Sequence, residues 1–99
     1  MKAVTVFFNI AIEEEVLAAV RGAGVEYYSE WPRMTGWGAA TGARMDNHVW
    51  PGANSGILML VEEKVATAVM DALQKLRDSR VGRQAGIFAY QSPVERTLK

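Results

Sequence analysis

The chain has 99 residues, 49 % of them hydrophobic, with 11 basic against 11 acidic side chains and no cysteine. That is enough for one domain, spanning residues 1–99, with one core. The balanced charge excludes the basic footprint of a nucleic-acid binder, and the missing thiol excludes disulfides, thiolate metal sites and thiol catalysis.

In chain order, residues 3–8 (AVTVFF) are β-branched and aromatic and predict a strand. The apolar run around them is too short to cross a bilayer, stops at three glutamates and has no small-residue cleavage site, so a cytoplasmic protein is expected. Asn9 is a helix N-cap candidate. Ile12, Val16, Ala19, Val20 and Ala23 then fall on one helical face. Glu13, Glu14 and Glu15 stand at the helix start, where the dipole favours anions without any catalytic role. Gly22 and Gly24 end the helix. Residues 25–31 (VEYYSEW) predict a second strand, stopped by Pro32.

Residues 34–56 (MTGWGAATGARMDNHVWPGANSG) break the pattern and hold two of the three tryptophans and the only histidine. The segment is too rich in glycine for a stable helix or strand and predicts a poorly ordered excursion over residues 39–54. Residues 56–62 (GILMLVE) predict a third strand, and Val65, Val69, Ala72, Leu73 and Leu76 repeat the earlier helical face. Residues 78–84 (DSRVGRQ) read as a turn, residues 86–91 (GIFAYQ) as a fourth strand and residues 93–99 as a polar tail.

The order is β-α-β-β-α-β, two split βαβ units. It predicts an α+β, ferredoxin-like domain: a four-stranded antiparallel sheet with two helices on one face and a long loop between strands two and three. The strands are apolar on both faces. Val4, Val6 and Phe8 oppose Ala3, Thr5 and Phe7; Ile57, Met59 and Val61 oppose Leu58 and Leu60; and Ile87 and Ala89 oppose Phe88 and Tyr90. Helices cover only one face, so the second face is expected to be buried against other subunits.

Residues 24–38 (GVEYYSEWPRMTGWG), 56–73 (GILMLVEEKVATAVMDAL) and 86–90 (GIFAY) resemble the PII signalling proteins and their PII-like relatives, over nearly the whole chain. Residues 48–55 (HVWPGANS) resemble the segment leading into strand three in PII-like proteins outside the nitrogen-regulation branch, some of which accompany heavy-metal efflux or bicarbonate-uptake systems. The divalent-cation-tolerance (CutA) family shares the fold and is a weaker match.

The resemblance implies a homotrimer with the sheets packed at its centre, acting as a regulatory protein and not an enzyme. It implies no obligatory cofactor. Instead a small effector, an adenine nucleotide, binds in clefts between subunits. Each cleft is formed by the loop base, Thr35, Gly36, Trp37 and Gly38, and by the turn carrying Gly82, Arg83, Gly86 and Phe88. The loop itself (the T-loop of the family), with Arg44, Asp46, Asn47, His48 and Trp50, implies contact with a target protein such as a membrane transporter. The chain departs from the nitrogen-regulatory members at Gly86, which stands where they carry a phosphate-holding lysine. It also lacks a counterpart of their modified loop tyrosine, while Arg96 and Lys99 keep the basic tail.

Several residues leave two readings open. Gly36 and Gly38 suit either a turn whose N–H groups meet an anion or simply a turn with positive φ. His48 is either a metal ligand with Asp46 as an oxygen donor, or an ordinary hydrogen-bonding loop residue; one His and one Asp are too few for a tight site within a chain. Trp37 and Trp50 serve as recognition aromatics or as anchors of a glycine-rich segment. Arg44 pairs with an anion or is solvated. The functional alternatives are therefore an effector-controlled regulatory protein and a divalent-metal protein of cation homeostasis.

Overall fold

The computed structural model describes residues 1–38, 42–44 and 52–98, with the backbone alone described at 37, 38 and 42–44. Strand β1 (Lys2–Asn9) leads through a 3-10 turn (Ile10–Ile12) into helix α1 (Glu13–Gly22). Strands β2 (Ser29–Met34), β3 (Gly36–Gly38), β4 (Gly42–Arg44) and β5 (Asn54–Val61) follow. Helices α2 (Glu63–Asp78) and α3 (Arg80–Ala85) and strand β6 (Ile87–Pro93) complete the chain.

The main sheet is antiparallel with order β2-β5-β1-β6, the ferredoxin-like arrangement. One face carries the core. Val4, Val6, Phe8, Ile57 and Met59 of the sheet pack against Val16 and Val20 of α1 and Val69 and Leu73 of α2, all essentially inaccessible to water. Alternation along the strands puts the other residues on the opposite face, and there large apolar groups stand open: Trp31, Leu60, Phe88 and Tyr90 are 45, 41, 63 and 46 % exposed. Two ring pairs line this face, Phe7 with Trp31 at 6.2 Å and Phe88 with Tyr90 at 6.1 Å between centroids. Gly56 lies between Phe7 and Trp31 in the register; a Cβ there would stand 2.8 Å from the Phe7 ring.

The local signals hold at α1. Asn9 Oδ1 accepts from the Ala11 N–H at 3.0 Å, capping the 3-10 turn before α1, and Glu13, Glu14 and Glu15 form the first turn of the helix. Three expectations are corrected. Strand two begins at Ser29 and not at residue 25, and it runs through Pro32 to Met34. This is possible because β2 is an edge strand whose pairing with β5 is interrupted between Trp31 and Met34; Pro32 has no N–H to give and sits in the interruption. Arg33, beside it, has φ 48°. Secondly, residues 80–85 form helix α3 where a turn was expected. Ser79 makes it: its Oγ accepts from the Gly82 N–H at 3.2 Å and donates to the Leu76 carbonyl at 2.5 Å. Thirdly, the excursion is not structureless throughout. β3 and β4 pair antiparallel, Gly36 with Arg44 and Gly38 with Gly42, and Ala53 is buried with its carbonyl accepting from the Ile10 N–H at 3.0 Å. The rest of the expectation, over 39–41 and 45–51, lies outside the described residues.

Candidate functional site

The antiparallel order puts four chain ends together. Met34 pairs with Asn54, Asn54 with Asn9, and Phe8 with Ile87, so the end of β2 and the start of β6 share one end of the sheet. The two segments of the expected cleft, 35–38 and 82–88, therefore lie at the same end. The strands they adjoin, β2 and β6, form opposite edges of the sheet, three inter-strand steps or about 14 Å apart. A single chain does not bring them together.

At the β2 edge, Thr35 is exposed between β2 and β3, and Gly36, Trp37 and Gly38 form β3. Gly36 is extended, so the turn expected there, with or without positive φ, is corrected to a strand paired with β4. An added Cβ there would meet the Asn54 amide, the end of a side chain that can turn aside. Arg44 belongs to β4 by its backbone. Asp46, Asn47, His48 and Trp50 lie outside the described residues, and with them the metal reading of His48. Among the described residues no three His, Asp or Glu side chains cluster to hold a metal ion.

At the β6 edge the backbone amides of residues 82, 83 and 86 are already spent within the chain. The Gly82 N–H is taken by Ser79 Oγ, the Arg83 N–H donates to the Ser79 carbonyl at 3.0 Å, and the Gly86 N–H donates to the Gly82 carbonyl at 2.9 Å. Gly86 is needed as glycine at φ 88°, where it ends α3 and turns the chain into β6. What this segment offers an anion is side-chain charge. Arg83 is exposed, and so is Arg80, which the sequence reading did not single out. With Lys75 and Arg77 they face a single acid, Asp78, between residues 75 and 85. Phe88 stands on the open face beside Tyr90 and away from the core.

One carboxyl pair sits on the β2 side. Glu30 is pushed above its ordinary value of 4.5 by its hydrogen bond with Glu13, then by partial burial, then by the Glu13 charge. The folded state thus binds this proton more tightly than the unfolded chain. The resulting stability is fully present below 4.5 and is lost as pH rises through the raised value. Glu30→Gln, which keeps a hydrogen-bond donor and removes the titration, is expected to gain on the wild type between pH 4 and pH 7. The gain is small because Glu30 is exposed to solvent. Urea midpoints of both proteins at the two pH values measure it, and parallel midpoints would show that folding does not raise Glu30.

No family model matches the chain, and no curated protein does. Solved structures do match. A PII-like signalling protein from Thermus thermophilus is 21 % identical, with 92 % of this chain and 83 % of that one covered and a TM-score of 0.65. The protein CPII of Thiomonas intermedia, bound to ADP and bicarbonate, is 19 % identical over 96 % of this chain and 88 % of its own, with a TM-score of 0.68. The same protein bound to ADP, AMP and bicarbonate is 21 % identical over 96 and 88 %, with a TM-score of 0.67. This chain has the fold of the PII-like signalling proteins. No helix among its described residues is long and apolar enough to cross a membrane.

Proposed function

We propose that this chain is a single-domain PII-like regulatory protein, outside the nitrogen-regulation branch, that works as a cytoplasmic homotrimer. Its effector is an adenine nucleotide held between subunits, and the excursion between β2 and β5 contacts a target protein, such as a membrane transporter. No catalytic step is assigned to it.

The observation that carries this reading is the pairing of an open apolar face with a split site. A head-to-tail ring joins one edge of each copy to the opposite edge of the next. Three copies closed around the face bearing Leu60, Phe88 and Tyr90 would cover those side chains. The same closure sets residues 35–38 of one copy beside residues 82–88 of its neighbour, because both segments lie at one end of the sheet. The nucleotides present in CPII support the choice of effector. Ligand control then follows from population shift: the effector favours one arrangement of the excursion, and the target binds one arrangement better than the other.

In this cleft phosphate is met by guanidinium, with the internally satisfied amides of α3 shaping the wall. A charge-assisted hydrogen bond contributes about 1.5–3 kcal/mol, so Arg83→Ala is expected to weaken nucleotide binding by roughly ten- to a hundredfold. Titration calorimetry with ATP, ADP and AMP, on the wild type and the variant, measures this. If no nucleotide binds below millimolar concentration while a divalent metal binds and is lost in His48→Ala, cation homeostasis replaces the regulatory reading.

A further inference from the structure

The root of the excursion holds the one non-glycine residue with positive φ among the described residues. Arg33 stands at φ 48°, in the left-handed region where a Cβ crowds the following carbonyl. The register shows what this strained backbone does. Trp31 pairs with Gly56 and Met34 with Asn54, so two residues of β2, Pro32 and Arg33, oppose one residue of β5, Ser55. This is a β-bulge, a device that re-aims the residues beyond it. Trp31 lies on the open face of the sheet with Phe7. Regular alternation from Trp31 would send Met34 to the core side. The bulge absorbs one residue and puts Met34 on the open side instead, in the row of Asn54 and Asn9. Gly36 follows on that side, beside the Asn54 amide.

A second register lies one residue away. With Arg33 extended, the bulge disappears. Arg33 comes opposite Asn54, and Met34 comes opposite the buried Ala53 on the core side. Thr35 then takes the face that Gly36 holds. The segment entering β3 advances by one residue, about 3.3 Å, and each of its side chains changes face. The change stays local for three reasons. β2 is an edge strand, so the slip disturbs a single neighbour. Pro32 has no N–H to lose. Met34 with Asn54 is the last pair of the β2–β5 ladder, so one pair is lost and one is remade, while Ser29, Glu30 and Trp31 keep their partners. The opposing effects are on the same few residues. The slip relieves the left-handed backbone at Arg33, and it brings the Thr35 side chain toward Asn54, where glycine brought none.

We infer that the Pro32–Arg33 bulge is a one-residue register switch at the root of the excursion, with Arg33 as its pivot. The switch stands on the register and backbone of this chain; its control by an effector rests on the regulatory reading above. There it gives the population shift a structural form. A ligand beside residues 35–38 meets one set of side chains in the bulged register and the opposite set in the extended one. Differential contact of this kind is what shifts a two-state equilibrium.

Two substitutions at the pivot bias it in opposite directions. Glycine adopts positive φ freely, so Arg33→Gly is expected to shift the two registers roughly five- to thirtyfold toward the bulge. Valine resists positive φ, so Arg33→Val is expected to favour the extended register. Cross-strand proton contacts of Asn54, measured by NMR, read the result: to residue 34 in the bulged register and to residue 33 in the extended one. The wild type and Arg33→Gly should show the contact to Met34. Arg33→Val should lose it and gain the contact to position 33. Saturating ADP should change the ratio of the two sets of contacts in the wild type and leave Arg33→Gly bulged. If Arg33→Val keeps the Met34 contact, or loses both sets, no second register exists and the switch is wrong. If ADP binds and the wild-type ratio does not move, control of the switch by the effector is wrong. If ADP does not bind, the nucleotide reading falls, and the contrast between the two variants still decides the switch.

Discussion

Leu60→Asp is expected to leave a folded chain that no longer assembles. Leu60 is 41 % exposed in the single chain, on the face away from the helices, so an aspartate there meets water and disturbs the core little. In an assembly that covers this face the carboxylate is buried without a partner. The effective penalty is several kcal/mol per ion; at about 3 kcal/mol it lowers the association constant more than a hundredfold. Sedimentation velocity at micromolar concentration should show the wild type as a trimer and the variant as a monomer, with matching far-ultraviolet dichroism. Equal sedimentation of the two would place the interface elsewhere on the molecule. Trp31, Phe88 and Tyr90 extend the same face, and a contiguous apolar surface of this kind is unusual on a protein that stays alone in solution.

The second large effect concerns stability. Gly82→Ala would set a methyl group against the Leu76 carbonyl oxygen, with the Arg77 Cα 2.7 Å away. Both obstacles are backbone atoms at the end of α2, so no side chain can turn aside to make room. The new methyl displaces α3 or opens the Ser79 cap, releasing the 3.2 Å bond that holds the Gly82 N–H. Overpacking of this kind costs about 3 kcal/mol, out of the 5–15 kcal/mol that roughly bounds a small domain's stability. For a chain of this length that is a fall of about 12–24 °C in Tm. Thermal unfolding at one fixed protein concentration measures it. A Tm unchanged within a few degrees would mean that α3 is free to move off α2, and the wall assigned to the candidate cleft would then have no rigid support.

Gly82 also illustrates what a one-dimensional pattern conceals. The sequence places a glycine between two arginines in a short polar stretch, and such a stretch suits a phosphate-binding turn. The demand for glycine comes instead from the close approach of α3 to the end of α2, and the amides that a phosphate would need are spent on Ser79 and on the helix itself. Ser79 was the available signal, since serine is among the strongly preferred N-cap residues. Gly36 misleads as well: it is extended and paired with Arg44, so it forms no turn.

The sequence by itself determined the order of the four sheet strands and the two long helices, and which face of each long helix is buried. These follow from periodicity, and periodicity is a local property: Val16 and Val20, Val69 and Leu73, Val4 and Val6 all lie where their spacing puts them. The apolar second face of the sheet was equally legible, because alternation is read two residues at a time. Only the tertiary structure decided where β2 begins, that residues 80–85 coil into a helix, and that segments 35–38 and 82–88 share one end of the sheet yet stand at opposite edges. The physical reason is that each of these depends on a partner far away in the chain. β2 takes its limits from its pairing with β5, α3 takes its seat from the end of α2, and the two halves of the site are separated by the width of a sheet whose strand order no local pattern encodes.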